Sequence, residues 1–164
     1  MTLRQVFSNQ RAALACALVA SSAGLAIALV LQYGFDMLPC PLCVLQRMAL
    51  CAVALVSIIG LVLPGSRRAA AAGALGGSLV GAGVAVWHLI TVYVPSEEAT
   101  CGPGLGTWVD HLWVTDLAPW LFAPMGDCIK DAASIFGFPL PAAALCFFLG
   151  LSALLAFNFR AAKR

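Results

Sequence analysis

The chain has 164 residues, of which 62% are hydrophobic and only 10% are charged, and its mean hydropathy is +0.98. Because soluble domains average about 25% charged residues, this composition excludes an ordinary water-soluble protein. The formal net charge is only +2, and the sequence shows no nucleotide-binding loop, no internal repeat and no nucleic-acid-binding motif.

Four long apolar segments predict membrane-spanning helices, because a helix needs about 20 residues to cross the hydrocarbon core. They cover residues 12–33, 44–64, 69–94 and 139–159. Their unbroken apolar runs argue against the alternating strands of a barrel, the other structure that satisfies the backbone in lipid. The sequence therefore predicts an all-α membrane protein, a single-domain bundle of four transmembrane helices over residues 1–164, with a long outer loop at 95–138.

Charged residues divide sharply between the two ends of the predicted helices. Seven of the nine basic residues fall at the N-terminus, at the turn between the second and third spans and at the C-terminus: Arg4, Arg11, Arg67, Arg68, Arg160, Lys163 and Arg164. All seven acidic residues fall in the other connections: Asp36, Glu97, Glu98, Asp110, Asp116, Asp127 and Asp131. Since basic residues favour the cytoplasmic side, we expect both termini in the cytoplasm and the outer loop where disulfides persist.

The second span begins at the most informative motif, Cys40-Pro41-Leu42-Cys43. Proline favours the first helical position, so we predict that Cys40 is the N-cap and that Cys43 is the third helical residue. Unpaired N–H groups and the positive end of the helix dipole then face both sulfurs, and we expect lowered thiol pKa values. Arg47 lies one turn further along the same face. A charge at this depth indicates a site that holds a thiolate or polarises an acceptor; snorkelling to the headgroups is the alternative.

The third span contains two features of interest. Gly73, Gly77 and Gly81 recur at every fourth position, which predicts the close approach of another helix. His88 lies nearer the outer end of the same span. Two interpretations of it stay open: hydrogen bonding or proton transfer to a bound acceptor, and a structural histidine bonded to a neighbouring helix.

The outer loop holds a second pair of cysteines, Cys101 and Cys128. Because both are expected outside, a disulfide is the default, and its role as a structural link or as an exchangeable bond stays open. Apolar residues in the loop, from Leu105 to Trp113, recur at helical spacing. They predict a short interfacial helix in the headgroup layer, with tryptophans at the interface; burial within a loop core is the alternative.

Taken together, these motifs resemble the bacterial disulfide bond formation protein B (DsbB) family, the quinone-linked oxidases of the inner membrane. The resemblance covers residues 10–160. It rests on CPLCVLQR at 40–47, ATC at 99–101, GDC at 126–128 and four spans with cytoplasmic termini.

The resemblance implies a relay of disulfides across the periplasmic side of the inner membrane. A reduced DsbA-like periplasmic protein of thioredoxin fold would attack the Cys101–Cys128 disulfide, with Cys101 forming the mixed disulfide. Cys128 would then attack Cys40, and Cys43 would react with ubiquinone, or with menaquinone in the absence of oxygen. Arg47 matches the quinone-contacting arginine of the family by its spacing, and His88 matches a histidine of the quinone region. Neither a metal nor a flavin is required.

Alternatives from other functional classes were weighed against this interpretation. A thiolate metal-binding or metal-transporting membrane protein is the first, because four outer cysteines can bind zinc and a CxxC near Met37 and Met48 suits Cu(I). Only one close cysteine pair is present, however. A four-helix exporter usually needs an acidic residue within the membrane, and no Asp or Glu lies in a predicted span. A purely structural protein held by disulfides would be inert toward quinone.

Overall fold

Four long apolar helices form the body of the protein, as a computed structural model of residues 10–94, 104–129, 134–135 and 138–161 shows. They are α1 (Gln10–Gly34), α2 (Pro41–Val62), α3 (Arg67–Tyr93) and α7 (Leu140–Ala161). Each contains a stretch long and apolar enough to cross a membrane. The all-α prediction with four spanning helices is therefore confirmed.

The boundaries of α2 follow from its two flanking prolines. The helix begins at Pro41, as predicted from Cys40 as the N-cap, and thus three residues before the predicted membrane span at 44. It ends at Val62, where the Leu63 N–H donates to the Ile59 carbonyl at 2.8 Å. Pro64 then opens a single 3-10 turn, Pro64–Ser66, that leads directly into α3. The connection at this end of the bundle is consequently very short.

Helix α3 is central in the bundle, since it packs extensively against both α2 and α7, whereas α1 packs mainly on α2. Its glycines make these approaches close. A Cβ added at Gly77 would lie 3.1 Å from a methyl carbon of Val53 in α2, and Gly73 faces α2 in the same way. A Cβ added at Gly81 would overlap the ring of Phe148 in α7. The predicted close helix approach is confirmed: Gly73 and Gly77 allow the approach of α2, and Gly81 allows the approach of α7.

Within residues 104–129, the described chain contains three short helices instead of the single one predicted: α4 (Leu105–Asp110), α5 (Trp113–Leu117) and α6 (Pro119–Phe122). The first break occurs because Leu112 adopts an extended backbone. There the Thr115 hydroxyl donates to the Val109 carbonyl at 2.9 Å. Val109 and Phe122 pack on Val44 at the start of α2. The short helices therefore cover the CxxC end of the bundle.

Two strands of two residues each precede α7, namely β1 (Ser134–Ile135) and β2 (Phe138–Pro139). They pair antiparallel, with Ser134 opposite Pro139. Pro139 was predicted to open the fourth helix but lies in β2, and the helix begins one residue later at Leu140. This small ladder leads the chain into α7.

Candidate functional site

The CxxC motif forms the first turn of α2 as its sequence predicts. Cys40 has an extended backbone (φ −79°, ψ 165°) and is the N-cap, and Pro41 stands in the first turn. The Cys43 N–H donates to the Cys40 sulfur at 3.3 Å, so the Cys40 side chain caps an otherwise unpaired helix N–H. Local sequence alone thus places both sulfurs at the end of a helix.

The two sulfurs of this motif are in direct contact. Cys40 and Cys43 are free thiols whose Sγ atoms lie 2.8 Å apart, and Cys40 is buried. The hydrogen bond with Cys43, followed by burial, raises the pKa of the Cys40 thiol. The expectation of a lowered pKa is therefore wrong for Cys40. Either thiol can be the donor in this contact.

Cys128 lies near Cys40 because two backbone hydrogen bonds, here called the clip, hold the segment before it against Pro39. The N–H groups of Met125 and Gly126 both donate to the Pro39 carbonyl, at 2.9 and 3.0 Å. Gly126 allows this approach, because a Cβ there would lie 2.6 Å from the Leu38 carbonyl oxygen. The clip holds the following residues, including Cys128, directly against the start of α2.

Cys128 is fully buried and disulfide-bonded. An Asx turn shapes its surroundings, since the Asp127 carboxylate accepts a hydrogen bond from the Ile129 N–H at 2.9 Å. The Sγ atoms of Cys40 and Cys128 and a ring nitrogen of His88 all lie within 4.8 Å of one another. The structure thus brings together three of the predicted site residues. The fourth predicted cysteine, Cys101, lies outside the described residues.

His88 reaches the same point from α3. Its Nε2 atom lies 3.7 Å from the Cys40 sulfur, and the side chain is buried. Its Nδ1 atom is buried as well and has no hydrogen-bond partner among residues 10–94, 104–129, 134–135 and 138–161. His88 thus faces the cysteines and contacts the residue that caps α2. Both interpretations of His88, as a group that binds an acceptor and as a structural histidine bonded to a neighbouring helix, agree with this contact.

Arg47 is buried and ties three segments together. Its Nη1 atom donates to the Gln32 side-chain oxygen at 2.6 Å and to the Leu121 carbonyl at 2.9 Å, and its Nη2 atom donates to the Ala28 carbonyl at 3.2 Å. The guanidinium therefore links α1 and α6 to α2. These bonds argue against snorkelling, because an arginine that reaches the headgroups leaves its charged end in a polar, exposed layer.

A largely apolar cavity of about 260 Å³ lies beside the cysteines, between α1, α2 and the first turns of α7. Cys40, Cys43, Arg47 and His88 line it at one end. Ile27 lines it from α1 and is 60% exposed, so the cavity opens to the apolar outer face of the bundle. A concave apolar site with a few polar groups is typical of a small-molecule binding site.

Three contributors to the site were missed by reasoning from the sequence. Gln46 lines the cavity, and its Nε2 atom is buried without a hydrogen-bond partner among the described residues. Gln32 orients Arg47, and Gly126 permits the clip. A signal existed for Gln32, because an amide within an apolar span indicates a polar contact. Gly126 carries no such local signal, since its constraint comes from a distant carbonyl.

Comparison with known proteins identifies the family of the chain. The family model described as "Disulfide bond formation protein DsbB" matches residues 10–158. The chain is 38% identical over 142 residues to disulfide bond formation protein B of Herminiimonas arsenicoxydans, covering 86% of this chain and 89% of the relative. It is 39% identical over 130 residues to the protein of that name from Aromatoleum aromaticum, covering 77% and 78%. The protein of that name from Methylococcus capsulatus is 35% identical over 133 residues, with 79% and 81% covered. The chain is thus a multi-pass membrane protein that belongs to the DsbB family of disulfide bond formation proteins.

Proposed function

We propose that this protein is a quinone-reducing protein-disulfide oxidoreductase that reoxidises a DsbA-like periplasmic protein of thioredoxin fold. The observation that carries the proposal is the approach of the Cys128 and Cys40 sulfurs, within 4.8 Å of each other, beside the apolar cavity of about 260 Å³. A disulfide-bonded cysteine this close to the CxxC pair supports an exchange of disulfides. An adjoining apolar cavity supports an acceptor drawn from the membrane.

The proposal includes a single membrane domain, over residues 1–164, in the bacterial inner membrane. Arg67 and Arg68 follow the short turn between α2 and α3, whereas Asp127 lies beside the cysteines at the other end of the bundle. The preference of basic residues for the cytoplasmic side supports a cytoplasmic position for that turn and for both termini. The redox cysteines then face the periplasm, where disulfides persist.

Transfer between the two cysteine pairs starts from a Cys40–Cys43 disulfide. The reduced partner opens the proposed Cys101–Cys128 disulfide by attack on Cys101, and its second thiol resolves the mixed disulfide, so the partner loses two electrons and two protons. Cys128, as a thiolate, then attacks Cys40. The Cys40–Cys43 bond breaks, Cys43 leaves as a thiolate, and Cys101 resolves the Cys40–Cys128 bond. The outer disulfide is restored, and the electron pair resides on Cys40 and Cys43.

Residues of the chain prepare this inner pair for oxidation. Because the pKa of the Cys40 thiol is raised, we expect Cys40 to hold the proton and to donate toward Cys43 across the 2.8 Å contact between the sulfurs. Cys43 then carries the negative charge at the helix N-terminus, where the helix dipole stabilises an anion. Cys43 lines the cavity, as Cys40 does, so the sulfur that we expect to be nucleophilic is presented to an acceptor there.

The cavity fits a quinone headgroup by its apolar lining and its few hydrogen-bonding groups. Ubiquinone, or menaquinone without oxygen, supplies an acceptor for two electrons and two protons. His88 and Gln46 line the cavity and carry buried nitrogens without partners in the described part of the chain. We expect these groups to bind and orient carbonyl oxygens. Arg47 adds a positive charge at the same end, which favours negative charge developing on a bound acceptor.

A quinone-reduction assay tests the proposal. The purified protein is mixed with ubiquinone and a reduced DsbA-like protein, and quinone absorbance and partner thiols are followed together. We expect Cys40→Ser and Cys43→Ser to abolish quinone reduction, and Cys101→Ser to block turnover by the protein partner. Cys51→Ser is the matched control, since Cys51 is a free, half-buried thiol further along α2. Full rate in either inner-pair variant would refute the relay.

A further inference from the structure

We propose that the reduced protein binds one Zn²⁺ ion through Cys40, Cys128 and His88, and that the bound ion stops disulfide transfer. The binding itself is independent of the proposed function, whereas the inhibition rests on it. These three residues come from three parts of the chain: the N-cap of α2, the segment held by the clip, and α3. The fold therefore assembles a set of ligands that no sequence spacing shows.

The distances between the ligand atoms suit a tetrahedral ion. All three atoms lie within 4.8 Å of one another. Zinc binds thiolate at about 2.3 Å and imidazole at about 2.0 Å, which places the two ligand atoms of a tetrahedral site roughly 3.6 Å apart. The Cys40 sulfur and the His88 Nε2 atom are 3.7 Å apart. This edge of the site is thus already at the length that zinc requires.

Burial and charge also favour a thiophilic cation. Cys40, His88 and Cys128 are all buried, with at most 4% of each residue exposed. Two thiolates balance the charge of Zn²⁺, so the bound site is neutral and can lie in apolar surroundings at little electrostatic cost. A site with thiolate and imidazole ligands is chemically suited to zinc.

Binding is controlled by the redox state, because Cys128 is disulfide-bonded in this structure. A dithiol reductant opens that bond: the reductant becomes a disulfide, and Cys128 and its former partner become thiols. Zinc then displaces one proton each from Cys40 and Cys128. Since a ligand stabilises the state that binds it, zinc holds the cysteines reduced. Cys128 in this state is not free to attack a disulfide.

The experiment uses the full chain in detergent, with Cys16, Cys51 and Cys146 replaced by serine to remove the other free thiols. The protein is reduced without oxygen, freed of metal and titrated with Zn²⁺ against a chromophoric chelator. We expect one ion per chain in the reduced protein and none at this site after oxidation. Co²⁺ in place of zinc should give the absorption of cobalt–thiolate charge transfer, which reports ligation without any activity measurement.

Two single variants identify the ligands. His88→Gln and Cys128→Ser should each weaken zinc binding at least about tenfold, since even outer-shell changes at metal sites cost 10- to 100-fold. Unchanged affinity in both, or equal binding by the oxidised protein, would overturn the site. Zinc bound with full turnover would overturn the inhibition. Failure of the metal-free protein to reduce quinone would instead count against the proposed function, whereas the zinc titration would still decide whether the site binds zinc.

Discussion

Replacing Gly126 by alanine tests whether the backbone clip places Cys128 against Cys40. The added Cβ would lie 2.6 Å from the Leu38 carbonyl oxygen and 3.1 Å from the Leu38 carbonyl carbon. Both are backbone atoms of the segment that leads into α2, so they cannot move aside as the end of a flexible side chain would. We expect the segment at Gly126 to shift outward and the Cys128 sulfur to move away from Cys40.

The magnitude follows from the two hydrogen bonds of the clip. Met125 and Gly126 each donate to the Pro39 carbonyl, at 2.9 and 3.0 Å. A net contribution of about 0.5–1.5 kcal/mol for each bond gives a loss of about 1–3 kcal/mol when both are broken. At about 1.4 kcal/mol for each tenfold change, transfer from Cys128 to Cys40 should slow by about one order of magnitude or more.

The assay measures that single step. The protein with its inner pair oxidised and its outer pair reduced is allowed to react, quenched with acid and alkylated. Because transfer leaves the number of free thiols unchanged, peptide mapping by mass spectrometry then reports which pair carries the label. Gly106→Ala is the matched control, because it lies in the same outer segment and a Cβ there would make only an ordinary contact of 3.7 Å with Pro41. An unchanged rate in Gly126→Ala, or an equal loss in the control, would refute the role of the clip.

Three further predictions address the bundle, the cavity and the thiols. Gly81→Ala should destabilise the protein by about 1–3 kcal/mol through overpacking against Phe148, as measured by unfolding in detergent. Gly83→Ala is the control and should change stability little, because its added Cβ meets nothing within 4 Å. Equal effects of the two substitutions would contradict the close approach. Arg47→Ala removes the positive charge at the cavity together with the bonds to Gln32 and Leu121, so the apparent KM for quinone should rise about tenfold or more; an unchanged KM would remove Arg47 from the site. The rate of alkylation of Cys40 in the reduced protein should rise with pH, with a midpoint above the ordinary thiol pKa of 9.0. The reason is that the pKa of Cys40 is raised, so the reactive thiolate forms only at higher pH. A midpoint below that value would exclude Cys40 as the sulfur that holds the proton.

Features governed by local rules were predictable from the sequence. The four helices follow from apolar length, and the capping role of Cys40 follows from the proline after it. The close approach at Gly77 and Gly81 follows from the small-residue spacing within one helix. Each of these depends on residues within a few turns of each other, so the pattern carries the information directly.

Features governed by contacts between distant segments were not predictable. The outer segment breaks at Leu112 because Thr115 and Val109 bond across the turn, whereas its apolar spacing indicated one continuous helix. The raised pKa of Cys40 depends on burial and on the Cys43 sulfur, which outweigh the favourable end of the helix. The constraint on Gly126 exists only after the chain has folded back onto Leu38.

The opening at Ile27 has a consequence for how an acceptor would be supplied. Because this side chain lines the cavity and is also 60% exposed on the flank of the bundle, the proposed lipid-soluble acceptor would reach the cysteines by lateral diffusion, without passing through water. Its headgroup would bind inside while a long isoprenoid tail stayed among the acyl chains. Tail length would then govern the amount of acceptor dissolved in the bilayer more than the fit at the site. The supply of oxidant would scale with its density per unit area of membrane.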